Sequence, residues 1–501
     1  MTLEFILVFI SLFLLACIFF RKRGKLPPGP PPLPLIGNIH QIFGKDVHLK
    51  FCRWSKEYGR LYTVQLGNKQ ALVISDPKCL KDLFNLPASL GRYKTELFNV
   101  IANGNHGIVN TEGKVWTEQK NFCAKTLKCF GLGGSSRASL EPVVLSEIEE
   151  VLSDLRTQLK SSKSGIETAS LLEHIKRYNC NIMWKIISSG GNEEGKSECD
   201  NRAAKLSRDY LDGMARAVTT GLAFLPWLKY IAPEWSGYNL LKRTADEVHT
   251  LVIEQLNERR KDFVEGKGKD IMDAYIEKLN LCDDPKSSFY GELGLQNGIS
   301  AMLELVVASG ETTPHTINWL MLYLAHHQRA QQKLCDEIDR VIGKDRMPSL
   351  LDRQNMPYYE AVLQESLRFS AMVWMSIPHE LTEDIEFEGY TLPKGLILLP
   401  NLYYIHHDPV IWGDPEKFRP ERFISEDGSF IRNDVMMPFG TGKRLCFGEG
   451  LARDIMFLFI VRFFQSAQIF PESLDMLPDF SAQFGFLLNA QPFKVAIKWR
   501  K

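Results

Sequence analysis

The sequence predicts a mostly α protein with a small β part. Apolar residues recur at helical spacing in six stretches, strand-like alternation is confined to two short regions, and no linker composition divides the chain after Pro34. Taken in order, the elements begin with Phe5 to Phe20, FILVFISLFLLACIFF, which carries no charge. As a helix this segment would be about 24 Å long, close to the thickness of a thin bilayer core. Basic residues follow it (Arg21, Lys22, Arg23, Lys25) and no A-x-A cleavage site appears. It therefore reads as an uncleaved anchor with its C-terminal side in the cytosol, not as a signal peptide. LPPGPPPLP, Leu26 to Pro34, is a semi-rigid spacer. Leu61 to Leu66 and Ala71 to Ser75 read as a hairpin around Gly67-Asn68. Ile148, Val151, Leu152, Leu155 and Leu159 share one face of a helix expected to start near Pro142. Further helices are expected at Lys242–Phe263, Leu293–His326, Gln328–Ile342, Tyr358–Phe369 and Gly450–Phe464. Between the last two, Phe387 to Leu399 returns to strand patterning, with turns at Gly389 and Gly395.

The chain has 501 residues, enough for two or three domains or one large one. Hydrophobic residues make up 45% and charged residues 24%, which suits a folded chain with a sizeable core. Lys+Arg and Asp+Glu are 60 each, so no basic surplus marks a nucleic-acid partner. The ten cysteines are scattered, with no C-x-x-C pair and no zinc spacing. Most read as buried, reduced thiols. Cys446 is the exception.

Phe439 to Gly448 reads FGTGKRLCFG, and an amphipathic helix is expected from about Gly450. A helix N-terminus carries about half a positive charge and free N–H donors. Both lower the pKa of a nearby thiol and favour thiolate. Gly440, Gly442 and Gly448 let the backbone approach a flat cofactor, and Arg444 suits an anionic cofactor edge. These residues alone support a reactive or ligating cysteine and a structural loop cysteine equally.

The motif resembles the F-x-x-G-x-R-x-C-x-G signature of the cytochrome P-450 family, the haem-thiolate monooxygenases. Four other motifs occur in that family's order. WTEQK (Trp116 to Lys120) resembles W-x-x-x-R, and ASGETT (Ala308 to Thr313) resembles A-G-x-E-T-T. ESLR (Glu365 to Arg368) resembles E-x-x-R, and FRPERF (Phe418 to Phe423) resembles the P-E-R-F meander. The likeness covers essentially the whole chain. It implies one large, mostly helical, haem-enclosing domain over 36–501, behind an anchor at 1–20 and a basic, proline-rich hinge at 21–35. The length-based expectation of two or three domains gives way to it.

By the same resemblance, Cys446 is the axial ligand of the iron of haem b, and Phe439, Gly442 and Gly448 shape the cofactor loop. Trp116, Lys120, His379 and Arg444 serve the haem propionates. Lys120 stands where the family has Arg, and Gly104 stands where a second Arg is common, with His106 close by. Lysine offers a point charge in place of a bidentate fork. Glu365, Arg368 and Arg422 are implied to be a buried structural network, and not an exposed ion pair, holding the cysteine loop. Thr312 is implied to hold oxygen by a hydrogen bond, and Glu311 to relay protons. Thiolate ligation pushes electron density toward O–O cleavage. Ser309 stands where Gly is usual, and Pro314, which lacks an N–H, follows closely.

Substrate would be met by Leu97 to Val109, Leu211 to Leu225, Ala301 to Ala308, Val373 to Ile377 and Phe484 to Leu488. These are largely apolar, so a lipophilic small molecule is expected. PWLKYIAPEWSGYN, Pro226 to Asn239, resembles arthropod members of the animal microsomal branch, some of which act on terpenoid hormone precursors or steroids. The resemblance implies residence at the endoplasmic reticulum membrane with a cytosolic catalytic domain. NADPH would act indirectly, through an NADPH-cytochrome reductase, with cytochrome b5 as a further electron donor. Lys125 and Lys128 share a face suited to such a partner or simply to solvent. Two alternatives remain: a reductase-independent haem-thiolate isomerase, and a non-catalytic haem sensor or carrier. Isomerases of this type lack the acid–threonine pair kept here as Glu311-Thr312.

Overall fold

The computed structural model describes Ser11, residues 25–130 except 43, 45 and 103, residues 137–159, 167–188 and 209–266 except 211, and residues 268–473 and 479–500. The expected anchor, Phe5 to Phe20, lies outside the described residues apart from Ser11. Among the described residues no helix is long and apolar enough to cross a membrane.

The frame is built on one helix, Gly291–His326, of 36 residues. A helix that is apolar on every side must be enclosed by others. Met302, Leu303, Ile317 and the run Trp319 to Ala325 are accordingly buried. The helices Leu172–Ile187, Tyr238–Asp262, Pro357–Ser370 and Glu449–Ser466 pack around it. The five helices given bounds above are present, their ends either matched, as at His326 and Gln328, or shifted by at most four residues. The largest such shift is at Tyr238, which follows Gly237 in the left-handed region at φ 78°. The helix expected near Pro142 starts at Arg137 and carries Pro142 inside it. So close to a helix start, the missing proline N–H removes one backbone bond without ending the helix.

The hairpin forms as Leu61–Leu66 and Lys69–Ile74, in register from Leu61↔Ile74 to Leu66↔Lys69. Its second strand pairs parallel with Ile397–Pro400, which pairs with His379–Glu380, which pairs with Gly91–Arg92. The last pairing sets Arg92 opposite His379. A three-stranded sheet joins Glu167–Ala169, Val495–Trp499 and Ala467–Pro471. The expected strands beyond Phe387 are Ile385–Phe387, Tyr390–Leu392 and Ile397–Pro400, with Gly389 and Gly395 at positive φ.

A buried ionic network ties the helices to the loops. Glu365 and Arg368 are both 0% exposed and meet through two bonds of 2.7 and 2.8 Å. Arg422 Nε lies 3.1 Å from the same carboxylate, and the Arg419 backbone N–H donates to it at 2.9 Å. Arg368 also donates to the carbonyls of His406, Pro415 and Lys417. His406 Nε2 in turn accepts the Met437 N–H at 3.2 Å, two residues before Phe439. The helix, the meander and the cysteine loop are thus one hydrogen-bonded unit.

Glu365→Gln should leave two buried guanidiniums under-neutralised, at a cost of about 3–5 kcal/mol. The measurement is the chemical-denaturation midpoint. An unchanged midpoint would mean that the network carries no net stability.

Candidate active site

A cavity of about 370 Å3 lies between the cysteine loop and the central helix. The Cys446 side chain lines it, so the residue is accessible to solvent despite its depth in the fold. The loop is closed by Cys446 N–H donating to the Phe439 carbonyl at 3.0 Å. Gly442 has φ 73°, and a Cβ there would sit 2.3 Å from the Phe84 carbonyl oxygen. Its positive φ and the close approach of Phe84 both require glycine here. Gly448 has an ordinary φ of −86° and is the residue before the Glu449–Ser466 helix, one residue ahead of the expected start. Burial pushes the Cys446 thiol above its usual range, while the backbone N–H groups of Gly448 and Glu449 pull it down. The helix start acts in the expected direction, but burial outweighs it. A bound metal cation would add the charge that turns the balance to thiolate.

Cationic groups gather at one edge of the cavity. Arg444 donates to the carbonyls of Leu90 (2.8 Å) and Thr111 (2.7 Å) and stacks 4.0 Å over the Trp116 ring. Lys120 lies 5.7 Å from the centre of the same ring. His379 Nδ1 meets the Ser89 carbonyl at 2.7 Å. Arg92, which the sequence reading missed, lines the cavity and donates to the carbonyls of Val109 and Ile377, both at 3.2 Å. His106 is not among the lining residues. Arg92 thus places a second guanidinium at the cavity beside that of Arg444. Nothing in the local sequence GRYK marks Arg92; only the strand pairing to His379 does. Burial lowers Arg92 to about 9, Arg444 to about 10, and His379 well below its usual range. Two buried guanidiniums beside a neutral histidine fit an anionic, dicarboxylate cofactor edge.

The opposite wall carries Leu305, Ala308 and Thr312, one helical turn apart or nearly so. The Thr312 hydroxyl donates to the Ala308 carbonyl at 2.7 Å. The helix runs unbroken through Pro314, and the Ser309 carbonyl takes a bond from Asn179 of the neighbouring helix at 2.8 Å. Glu311 does not line the cavity. Its carboxylate is turned to Lys176 (3.0 Å) and His315 (2.8 Å). Burial raises Glu311, but the His315 hydrogen bond and the Lys176 charge outweigh it, so it stays below the usual carboxylate range.

Glu304, also missed, accepts the backbone N–H groups of Ile108 (2.6 Å) and Val109 (3.0 Å). It clamps the 107–109 loop against the central helix at the cavity wall. A lone charge in the apolar run AMLELVVA was the available signal. Four of the five expected substrate segments contribute to the cavity: Ile108 and Val109; Glu304, Leu305 and Ala308; Val373, Met375, Ser376 and Ile377; and Phe486 with Leu487. The described residues of Leu211 to Leu225 do not line it.

A cysteine thiol facing a threonine-bearing helix across a cavity with a cationic rim points to the haem-thiolate class. The cytochrome P-450 family model matches residues 27–497, and the chain belongs to that family, whose members are haem-thiolate monooxygenases. Its relatives include farnesoate epoxidase of Bombyx mori, 31% identical over 96% of this chain and 95% of the relative. Cytochrome P-450 2C16 of Oryctolagus cuniculus is 32% identical over 91% of each. Cytochrome P-450 18a1 of Drosophila melanogaster is 27% identical over 96% of this chain and 88% of the relative.

Burial raises Glu304 from 4.5 to about 8, against the pull of two amide donors and two arginines. The folded state therefore keeps a proton that the unfolded chain releases. Stability from this group is full below pH 4.5 and is lost as pH rises toward about 8. Glu304→Gln should flatten the fall in melting temperature across that window. A fall of unchanged slope would assign it to other groups.

Proposed function

We propose that this chain inserts one oxygen atom from O2 into a lipophilic small molecule, by hydroxylation or epoxidation. The single observation that carries the reading is the facing of Cys446 and Thr312 across one largely apolar, cation-rimmed cavity. Cys446 would hold the haem iron. Arg444, Arg92, Lys120, His379 and Trp116 would hold the propionates, with Phe439, Gly442 and Gly448 setting the loop. When bound, the haem supplies oxygen activation and insertion. The protein excludes water with Leu305, Ala308 and Val373, and it positions a hydroxyl at Thr312. Glu311 is the acid that feeds protons to this region, and Glu365, Arg368 and Arg422 keep the loop in place.

Electrons would come from an NADPH-dependent reductase, with cytochrome b5 as a further donor. The exposed Lys125 and Lys128 offer that partner a basic face. Likeness to a farnesoate epoxidase favours a terpenoid hormone precursor, with steroids next. Membrane association at the endoplasmic reticulum is supported by the apolar sequence at Phe5 to Phe20. It is supported again by exposed Leu35, Trp227, Tyr230, Ile231 and Trp235. The segments holding Ile36 and Phe224 both meet Gly67, so these exposed groups lie on neighbouring parts of the surface. The direct test is a substrate-induced haem spin shift across terpenoids, steroids and fatty acids, followed by product analysis with reductase. Turnover without NADPH would favour the isomerase reading. Absence of any turnover would favour a sensor or carrier.

Cys446→Ser should abolish the far red-shifted Soret band of the reduced carbon-monoxide complex. Survival of that band would mean that another residue ligates the iron.

Thr312→Ala should let NADPH consumption continue while oxygenated product falls and hydrogen peroxide rises to match. Assisted proton transfer is typically worth about 10²–10⁴-fold, so the loss of product should be large. Thr313→Ala should be milder, because the next helical residue points about 100° away. The reverse order of effects would shift the functional register by one residue.

A further inference from the structure

The central helix has a second polar face that the cavity does not use. Lys176 Nζ lies 3.0 Å from Glu311 Oε2, and His315 Nε2 lies 2.8 Å from the same oxygen. Glu311 and His315 are 7% and 5% exposed, while Lys176 is 18% exposed and so reaches toward solvent. His315 Nδ1 is buried with no hydrogen-bond partner among the described residues. Asn179 Oδ1 is likewise buried and unpartnered, and Asn179 both lines the cavity and donates to the Ser309 carbonyl. Two polar atoms held ready but unsatisfied, one behind Glu311 and one at the cavity, bracket the stretch between solvent and Thr312. Buried polar atoms of this kind are the places where ordered water bridges protein groups.

We propose that His315 and Lys176 are positioning residues that set the charge of Glu311 and pass protons to it, making Lys176–Glu311–His315 a buried proton-feeding triad. The inference rests on the monooxygenase reading, which supplies the demand for protons at Thr312. In the step itself, a water proton is taken up at His315 Nδ1, and the Nε2–H proton moves to Glu311 Oε2. The donor water O–H bond breaks as the Nδ1–H bond forms, its lost proton being replaced from bulk solvent; the Nε2–H bond breaks as the Oε2–H bond forms, and no electrons are gained or lost. The ring resets by exchange of its remaining proton with water. Lys176 keeps the carboxylate ionised between turnovers, so each proton is accepted only on demand. Asp212 is the next charged group coupled to this cluster: Lys176 and Glu311 act on it, as do Asp209 and Arg216. An ordinary structural ion pair would hold the two helices together without moving protons.

The test uses the haem-loaded enzyme with His315→Gln, which keeps a donor near Nε2 but cannot carry a proton, and with Lys176→Met. The first readout is the infrared titration of the Glu311 carboxyl, assigned by difference against Glu311→Gln. Both variants should raise its midpoint pH. The second readout is coupling: oxygenated product per NADPH should fall about tenfold in His315→Gln, with a larger solvent deuterium isotope effect. Substrate spin shift should stay as in the parent. An unmoved Glu311 midpoint overturns the proposal, and so does unchanged coupling beside a moved midpoint. If the parent itself shows no NADPH-dependent turnover, the monooxygenase reading fails, while the infrared titration still decides the electrostatic linkage.

Discussion

The structure depends on a charge placed where water does not reach. Glu365 is fully buried, and an ionised carboxylate in that position is unfavourable by several kcal/mol unless it is neutralised by neighbours. Arg368, Arg422 and the Arg419 N–H do this, and each comes from a different place along the chain or serves another task as well. Arg368 spends its remaining N–H groups on the carbonyls of His406, Pro415 and Lys417. His406 is in the last turn of the Leu402–His407 helix and Pro415 and Lys417 lie outside helices and strands, so their carbonyls lack backbone partners and need such donors. The carboxylate therefore acts as a keystone for loops that could not order themselves. The loop bearing Cys446 is one of them, reached through His406 and Met437.

A second buried set of charges shows the opposite balance. Arg92, Arg444 and His379 crowd one edge of the cavity with only Glu112 and Glu304 nearby to offset them. Burial is the first cause of their lowered pKa values, and the Arg444 charge adds to the lowering of Arg92 and His379. In the Glu365 network the protein satisfies its own charges; at the cavity edge it holds a surplus for a ligand. That contrast is the physical distinction between a structural ion-pair cluster and a binding site. Arg92 adds a guanidinium from a strand to the same cavity that Lys120 lines.

The elements legible in the sequence were those fixed by local pattern. Helical periodicity placed the central helix within two residues at its N-terminus and matched its C-terminus at His326, and the Gly67-Asn68 turn set the hairpin register. The cysteine loop, Thr312 and the Glu365 cluster were legible because their chemistry is written in contiguous motifs. Arg92 was not, because its role arises from a two-residue strand pairing across almost three hundred positions. Glu304 was visible only as an oddity in an apolar run, since its partners are backbone amides some 195 residues away. The start of the Arg137–Leu159 helix was misplaced because proline is commoner at a helix start than within it.

The central helix joins these arguments, because its two faces are held to different standards. Toward the cavity, Ala308 and Thr312 keep the wall smooth, and the Thr312 hydroxyl is parked on its own helix at Ala308. Toward the Leu172–Ile187 helix, Glu311 and His315 are tied by charge, and Asn179 caps the Ser309 carbonyl. Pro314 sits between these faces and cannot donate to the Gly310 carbonyl. A helix weakened at that point by a missing bond would open without outside support. Asn179 and Lys176 supply that support from the neighbouring helix. The same contacts that steady the helix also fix the carboxylate of Glu311, the residue next to Thr312, so the local weakness and the local charge are met by one set of partners.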